Sequence, residues 1–183
     1  MFKLRQGWVS GSSHAGDSDG CGMSLGNQPR CGLLSEAKAN ATMNELPDCF
    51  YCRKDQRLHE FMIEIAPLTV STLYLFKEQT HPGRCVVAYR GHVNELFELS
   101  DAELALFTKD VARAAQVIKT AFGATKMNYG AYSDKLPHLH FHLVPKYKDG
   151  PNFGATFEMM PANKKLLSDA EYADTIKAIK TAL

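Results

Sequence analysis

An α+β fold, with five candidate strands and two helices forming a sheet-plus-helix layer, is what three features of this 183-residue sequence predict. The first is His138-Leu139-His140-Phe141-His142-Leu143-Val144, where imidazoles and apolar residues alternate with a period of two before Pro145 closes the run. Along a strand that alternation puts the histidines on one face and Leu139, Phe141 and Leu143 on the other. The second is a pair of Ser-x-x-Glu boxes, Ser100 to Glu103 and Ser168 to Glu171, each opening a stretch with apolar residues at helical spacing. The third is the region Phe61 to Tyr89, rich in β-formers and divided by turn signals.

Taken in order, Met1 to about Glu45 combines Gly-Ser-Ser, Gly-Asp-Ser-Asp-Gly and Cys-Gly-Met-Ser without helical or strand periodicity, and reads as a disordered leader. Ser35 to Met43 has the composition of a short helix but no apolar stripe to anchor it. The domain then runs from residue 46 to 183. Met43 is a candidate true start, so deleting residues 1–42 should leave stability and activity intact, and loss of folding would reject that start. Arg53 to Glu60 is polar, a helical turn or a loop. Phe61, Ile63 and Ile65 alternate up to Pro67 and, with Ser71 to Phe76, suggest a hairpin, although the first segment also suits a helix. His81-Pro82-Gly83 is a turn, and Arg84 to Tyr89 a largely buried strand ended by Arg90-Gly91-His92. From Ser100 a long helix carries Leu104, Phe107, Val111, Ala114, Ile118 and Ala121 on one face and stops at Gly123. That stripe is expected to cover the Leu139-Phe141-Leu143 face. Lys126 to Ala131 is a strand, Lys146 to Gly154 a polar loop, and Tyr172, Ile176, Ile179 and Leu183 line a C-terminal helix that docks on the domain or on a partner subunit.

Composition narrows the function. Hydrophobic residues make up 45% of the chain, enough for one core, and a net charge of +1 supplies no bulk field for gripping a nucleic-acid backbone. A small substrate is expected and no nucleic acid. No segment approaches the ~18 apolar residues that span a bilayer, and Met1 to Ser10 lacks a secretory apolar core, so no membrane role and a cytoplasmic location are expected. The five cysteines are odd in number, and Cys49-Phe50-Tyr51-Cys52 suits a metal clip better than a disulfide framework, with free thiols as the alternative. Cys21, Cys31 and Cys85 are unassigned.

Three polar rings on one face of an apolar strand cost desolvation unless something uses them. Same-face neighbours lie ~6.6 Å apart, which suits separate roles better than three ligands on one metal. A cysteine pair at the spacing of a zinc half-site needs two further ligands to close a tetrahedron.

The run His-φ-His-φ-His-φ-φ, together with Pro82-Gly83, Gly91-His92-Val93 and Cys49-x-x-Cys52, resembles the histidine-triad (HIT) family of nucleotide hydrolases and nucleotidyltransferases from about Cys49 through Tyr147. The cysteine pair is similar to the zinc-containing branch, which is diadenosine-polyphosphate-hydrolase-like. The resemblance implies a HIT-like five-stranded antiparallel sheet, commonly paired as a two-fold homodimer. It implies one structural zinc per chain on Cys49, Cys52, His92 and His138, and catalysis without a metal. It also implies that His140 attacks the α-phosphorus of a nucleotide conjugate to give a nucleotidyl-histidine, with His142 contacting phosphoryl oxygens or assisting the leaving group. The attacking nitrogen must be unprotonated, its partner nitrogen donating to a carbonyl, so activity should fall on the acid side. Asn128 stands near a family amide that contacts phosphate; its other reading is a strand-edge polar residue.

Two departures are visible. Arg84 follows Pro82-Gly83 where the family often has histidine, and Ser133-Asp134-Lys135-Leu136-Pro137 replaces a Gly-Gln-Ser segment. Arg84 and Lys135 either bind extra charge on the substrate or are solvated. The family's ribose-contacting acid is not clearly matched in Phe76-Lys77-Glu78, which leaves base specificity open. The leading reading is cleavage of a dinucleoside polyphosphate, adenylylated amine or related conjugate. A nucleotide-binding regulatory module with little turnover, and a zinc hydrolase using the triad as ligands, are the competing classes.

Overall fold

The computed structural model describes residues 48–183. The leader, its short helix, the start at Met43, and Cys21 and Cys31 lie outside the described residues. Two short helices come first, α1 (Phe50–Arg53) in the Cys-x-x-Cys segment and α2 (Gln56–Phe61), which takes up most of the Arg53 to Glu60 stretch for which the sequence allows a helical turn or a loop. Strands β1 (Met62–Pro67), β2 (Ser71–Phe76) and β3 (Cys85–Tyr89) follow, then a 3-10 turn at Leu96–Glu98 and the long helix α3 (Asp101–Phe122). The chain closes with β4 (Lys126–Gly130), β5 (His140–Lys146) and α4 (Asp169–Ala182). The strands form one antiparallel sheet in the order β1-β2-β3-β5-β4.

The two faces of that sheet carry different chemistry. Leu73, Leu75, Cys85, Val87, Leu139 and Leu143 point to one side, where α3 covers them with Phe107, Val111, Ala114 and Ile118. Phe107 meets the Phe141 ring edge-on at 5.8 Å, as the alternation predicts. Burying this stripe holds helix to sheet, since each apolar side chain removed from water contributes roughly 1.5–3 kcal/mol. On the other side Met62, Tyr74, Phe76, Val86 and Ala88 form a second cluster with Phe50, Tyr51 and Leu58. Val86 pairs with His142 and Ala88 with His140, so the histidines join that second face. Cys85 therefore packs in the helix-side core.

Local signals decide the boundaries. Both serine boxes form, with each serine hydroxyl accepting from the backbone N–H three residues on and each glutamate reaching back to the cap. Gly123 ends α3 in the left-handed conformation. Gly83 adopts φ +83° in the turn of His81-Pro82-Gly83-Arg84, and a Cβ there would lie 2.6 Å from the Phe122 ring. A type II turn needs this conformation, and Pro82 presets the position before it.

Three details differ from expectation. Ile65 is the extra residue of a β-bulge, because Glu64 pairs with Tyr74 while Ala66 pairs with Leu73. Ala121 is exposed, since α3 ends with Phe122 turned to the core instead. The histidine strand runs past Pro145 to Lys146, whose buried ammonium donates to the carbonyls of Asn152 (2.6 Å), Ala155 (3.4 Å) and Pro151 (3.5 Å) and so shapes the loop read as simply polar. The C-terminal helix packs on the domain's own core through Tyr172 and Ile179.

Buried Asp110 on α3 accepts from Thr69 N–H (3.1 Å), Val70 N–H (2.9 Å) and the Ser71 hydroxyl (2.7 Å), clamping the β1–β2 turn. Burial raises its pKa, but these hydrogen bonds together outweigh burial and leave it lowered. Asp110→Ala should cost about 2–3 kcal/mol by orphaning buried donors. A lowered carboxylate stabilises the fold above its unfolded pKa, and that stability is lost as pH falls through the folded value. The Tm difference between wild type and Asp110→Asn should thus shrink below roughly pH 4.

Candidate active site and metal centre

The Cys-x-x-Cys segment folds as one helical turn, with Cys49 capping α1 and Cys52 inside it. His92 follows β3 and His138 precedes β5, and the four ligand atoms all lie within 4.8 Å of one another. Cys49 Sγ is 3.4 Å from His138 Nδ1, and Cys52 Sγ is 3.3 Å from His92 Nδ1 and 3.7 Å from His138 Nδ1. In a tetrahedral zinc site, sulfur and nitrogen ligands stand about 3.6 Å apart. The donor set fits such an ion in type and in spacing.

His138 is prepared for that role. Its Nε2 lies 2.9 Å from the Tyr89 carbonyl, an acceptor only, so Nε2 carries the proton and Nδ1 turns its lone pair to the thiols. Burial is the main cause that pushes His138 down to about 4, partly countered by that carbonyl. Burial and the neighbouring Cys49 push Cys52 up to about 12, so a bound cation is what would draw out its thiolate.

His140 and His142 stand outside this cluster. His140 Nδ1 is 2.7 Å from the carbonyl of His138, which places the proton on Nδ1 and the lone pair on Nε2. Burial lowers its pKa, with the His138 carbonyl opposing. His142 lies beyond it, ring to ring at 5.2 Å. Both histidines line a cavity of about 560 Å³ with aromatic walls that include Phe50, Tyr51, Phe61 and Phe76, and with Lys135 at its edge. An imidazole with a free lone pair on an apolar cavity can act as a nucleophile toward an electrophile seated there.

The remaining sequence candidates divide. Lys135 lies in the exposed segment beside the cavity. Asn128 is not in the cavity lining, because edge strand β4 sets Gly130 opposite His142 and Asn128 opposite Val144. Asn128→Ala should therefore change kcat/KM by less than about threefold, under ~0.7 kcal/mol. Arg84 is neither solvated nor in the cavity wall; it is fully buried behind His142 and paired with Glu78 at 3.1 Å. Glu78 also accepts from Thr80 and from Lys165 N–H, so its carboxylate is engaged away from the cavity.

Sequence reasoning missed Tyr51 and Met159. The Tyr51 ring stacks on His138 at 4.7 Å and sits 5.2 Å from His140, joining the cysteine turn to the triad. Its signal was present, since both residues between the cysteines are aromatic. Met159 gives its carbonyl and its sulfur to Arg84 from a segment with no periodicity, where no signal existed.

A family model described as the HIT domain matches residues 71–149. Among solved structures, a histidine triad protein from Sinorhizobium meliloti 1021 is 24% identical, with 70% of this chain and 95% of that one covered, at a TM-score of 0.65. A hypothetical histidine triad nucleotide-binding protein from Sulfolobus tokodaii strain 7 is 20% identical, covering 73% and 91%, at 0.57. A Zn-bound histidine triad family protein from Mycobacterium smegmatis is 17% identical, covering 74% and 92%, at 0.53. These likenesses establish a HIT-like fold. No curated protein matches the chain by sequence.

Proposed function

We propose that this chain, whose residues 71–149 match the HIT domain, is a nucleotide-conjugate hydrolase or nucleotidyltransferase working through a nucleotidyl-histidine at His140. The observation that carries this reading is the 2.7 Å contact of His140 Nδ1 with the His138 carbonyl, which leaves an unprotonated Nε2 at the cavity. Attack by Nε2 on the α-phosphorus expels the distal group, and water or another acceptor then takes the nucleotide. Phe50, Tyr51, Phe61 and Phe76 suit a stacked base, and the nucleotide-binding label on the Sulfolobus neighbour agrees. In this reading His142, which lines the same cavity, hydrogen-bonds a phosphoryl or leaving-group oxygen.

Zinc would be held by Cys49, Cys52, His92 and His138, in keeping with the Zn-bound Mycobacterium neighbour. Its part is structural, fixing α1 and the His92 loop to the segment that leads into β5. The test is acid-free quenching during turnover of diadenosine polyphosphates, adenosine phosphoramidates and nucleotide sugars, followed by peptide mass analysis. A nucleotidyl mass on His140 supports the reading. Binding of these probes with no adduct and no turnover would replace it with the regulatory nucleotide-binding module.

A further inference from the structure

Arg84 is fully buried yet absent from the cavity lining, so its charge needs another use. Its contacts are specific. One terminal nitrogen donates to Glu78 (3.1 Å) and to the Met159 carbonyl (3.0 Å), and the guanidinium lies 4.2 Å from the centre of the Phe76 ring and 5.5 Å from that of Phe157. The other terminal nitrogen is 2.9 Å from the Met159 sulfur and 3.4 Å from His142 Nδ1. That last contact is long, but its polarity runs one way: a guanidinium has five N–H donors and no acceptor. His142 Nδ1 must therefore present its lone pair, which puts the ring proton on Nε2. A second proton on Nδ1 would set two cations 3.4 Å apart, out of water, with Glu78 already engaged by Arg84, Thr80 and Lys165 N–H. Besides Arg84, the titratable ring facing His142 is His140, which offers no negative charge.

We propose that Arg84 holds His142 as a permanently neutral Nε2–H donor, so that the site favours nucleotide conjugates whose leaving group departs as a stable anion and discriminates against phosphoramidates and alkyl esters, whose leaving group needs a proton. This rests on the nucleotidyl-histidine reading. In the first step His140 Nε2 gives its electron pair to the α-phosphorus. The bond from phosphorus to the leaving oxygen breaks, and that oxygen departs with the pair as an anion, accepting a hydrogen bond from His142, which keeps its proton. In the second step water bonds to phosphorus and releases one proton to solvent, and the P–N electron pair returns to Nε2. Mixed anhydrides and polyphosphates satisfy this balance. An amine or alkoxide leaving group does not, because neutral His142 could give up its one ring proton only by becoming an imidazolate. Arg84 is thus a positioning residue that sets specificity through His142.

Two readouts on the full chain test this. Ring nitrogen-15 shifts of His142 should be pyridine-like at Nδ1 and pyrrole-like at Nε2. Rates of enzyme nucleotidylation with three adenosine 5′-phosphate probes should fall from the 4-nitrophenyl ester to the phenyl ester to the morpholidate, by at least ~100-fold overall, the low end of what general acid assistance is worth. Arg84→Lys keeps a cationic donor and should preserve the ranking. The double variant Glu78→Gln/Arg84→Met removes both buried charges together, leaving neither uncompensated; there the His142 tautomer should mix and the span narrow at least tenfold. An Nδ1–H tautomer in the wild type, a morpholidate rate equal to the nitrophenyl rate, or an unchanged span in the double variant overturns the proposal. Failure of all three probes with the Nδ1 lone pair intact overturns the nucleotidyl-transfer reading and the substrate half of this one, while the tautomer half stands.

Discussion

His140→Ala is expected to lower turnover by roughly 10⁴-fold or more while leaving the fold and nucleotide affinity nearly unchanged. The loss is that large because the residue forms the covalent bond itself; the remaining groups would only position a substrate that nothing attacks. In energy it is about 5.5 kcal/mol of barrier. Stability should change much less, because the His140 ring borders the cavity as well as the second apolar cluster, and the ring's hydrogen bond goes to the neighbouring His138 carbonyl. His140→Asn retains a polar side chain near that carbonyl and should be equally inactive. Tm, isothermal titration with a non-hydrolysable nucleotide, and metal content are the controls. Turnover within tenfold of wild type in either variant would remove His140 from the nucleophile's place, and metal loss on substitution would shift the triad toward a metal-ligand role.

The parts of this fold legible in the sequence are those where one local rule acts alone. Period-two alternation at residues 138–144 separated the histidine face from the core face, and the register of β5 against β3 agrees. The serine boxes located the starts of α3 and α4, because cap chemistry depends on four adjacent residues. The cysteine pair and its two histidines converge in space although His92 and His138 lie far apart along the chain, and only the family pattern linked them. Whether Arg84 and Asn128 reach the cavity was left open by the sequence for one physical reason. Which strand neighbours β5, and in what register, decides whether a polar residue meets the cavity, and no local pattern encodes that. Glu78 and Met159 turn Arg84 into a buried group, yet one is six residues upstream and the other lies in an aperiodic segment. Ile65 shows a smaller version: its alternation with Ile63 was visible, but the bulge that inserts it was not.

Metal removal is the second large effect. The helix α1 has four residues, far below the length at which a helix holds itself together in water, so Phe50 and Tyr51 stay buried only through tertiary packing and the clip. Zinc binding to sites of this kind is coupled to folding, and the ligands are deprotonated as the ion enters. Protein purified without added metal should carry about one zinc per chain, and chelation should lower Tm by on the order of 10 °C, or about 3–4 kcal/mol at the ~2–4 °C per kcal/mol typical of this size. Cys52→Ala should produce the same drop, and chelation should add little to it, since both remove one interaction. Because the Tyr51 ring stacks on His138 and sits 5.2 Å from His140, the stripped protein should lose substrate affinity before it loses the chemical step, seen as a raised KM with kcat less affected. An unchanged Tm after complete chelation would mean that the α1 turn is held by Phe50 and Tyr51 alone, and that the four donors stand together for some reason other than a structural ion.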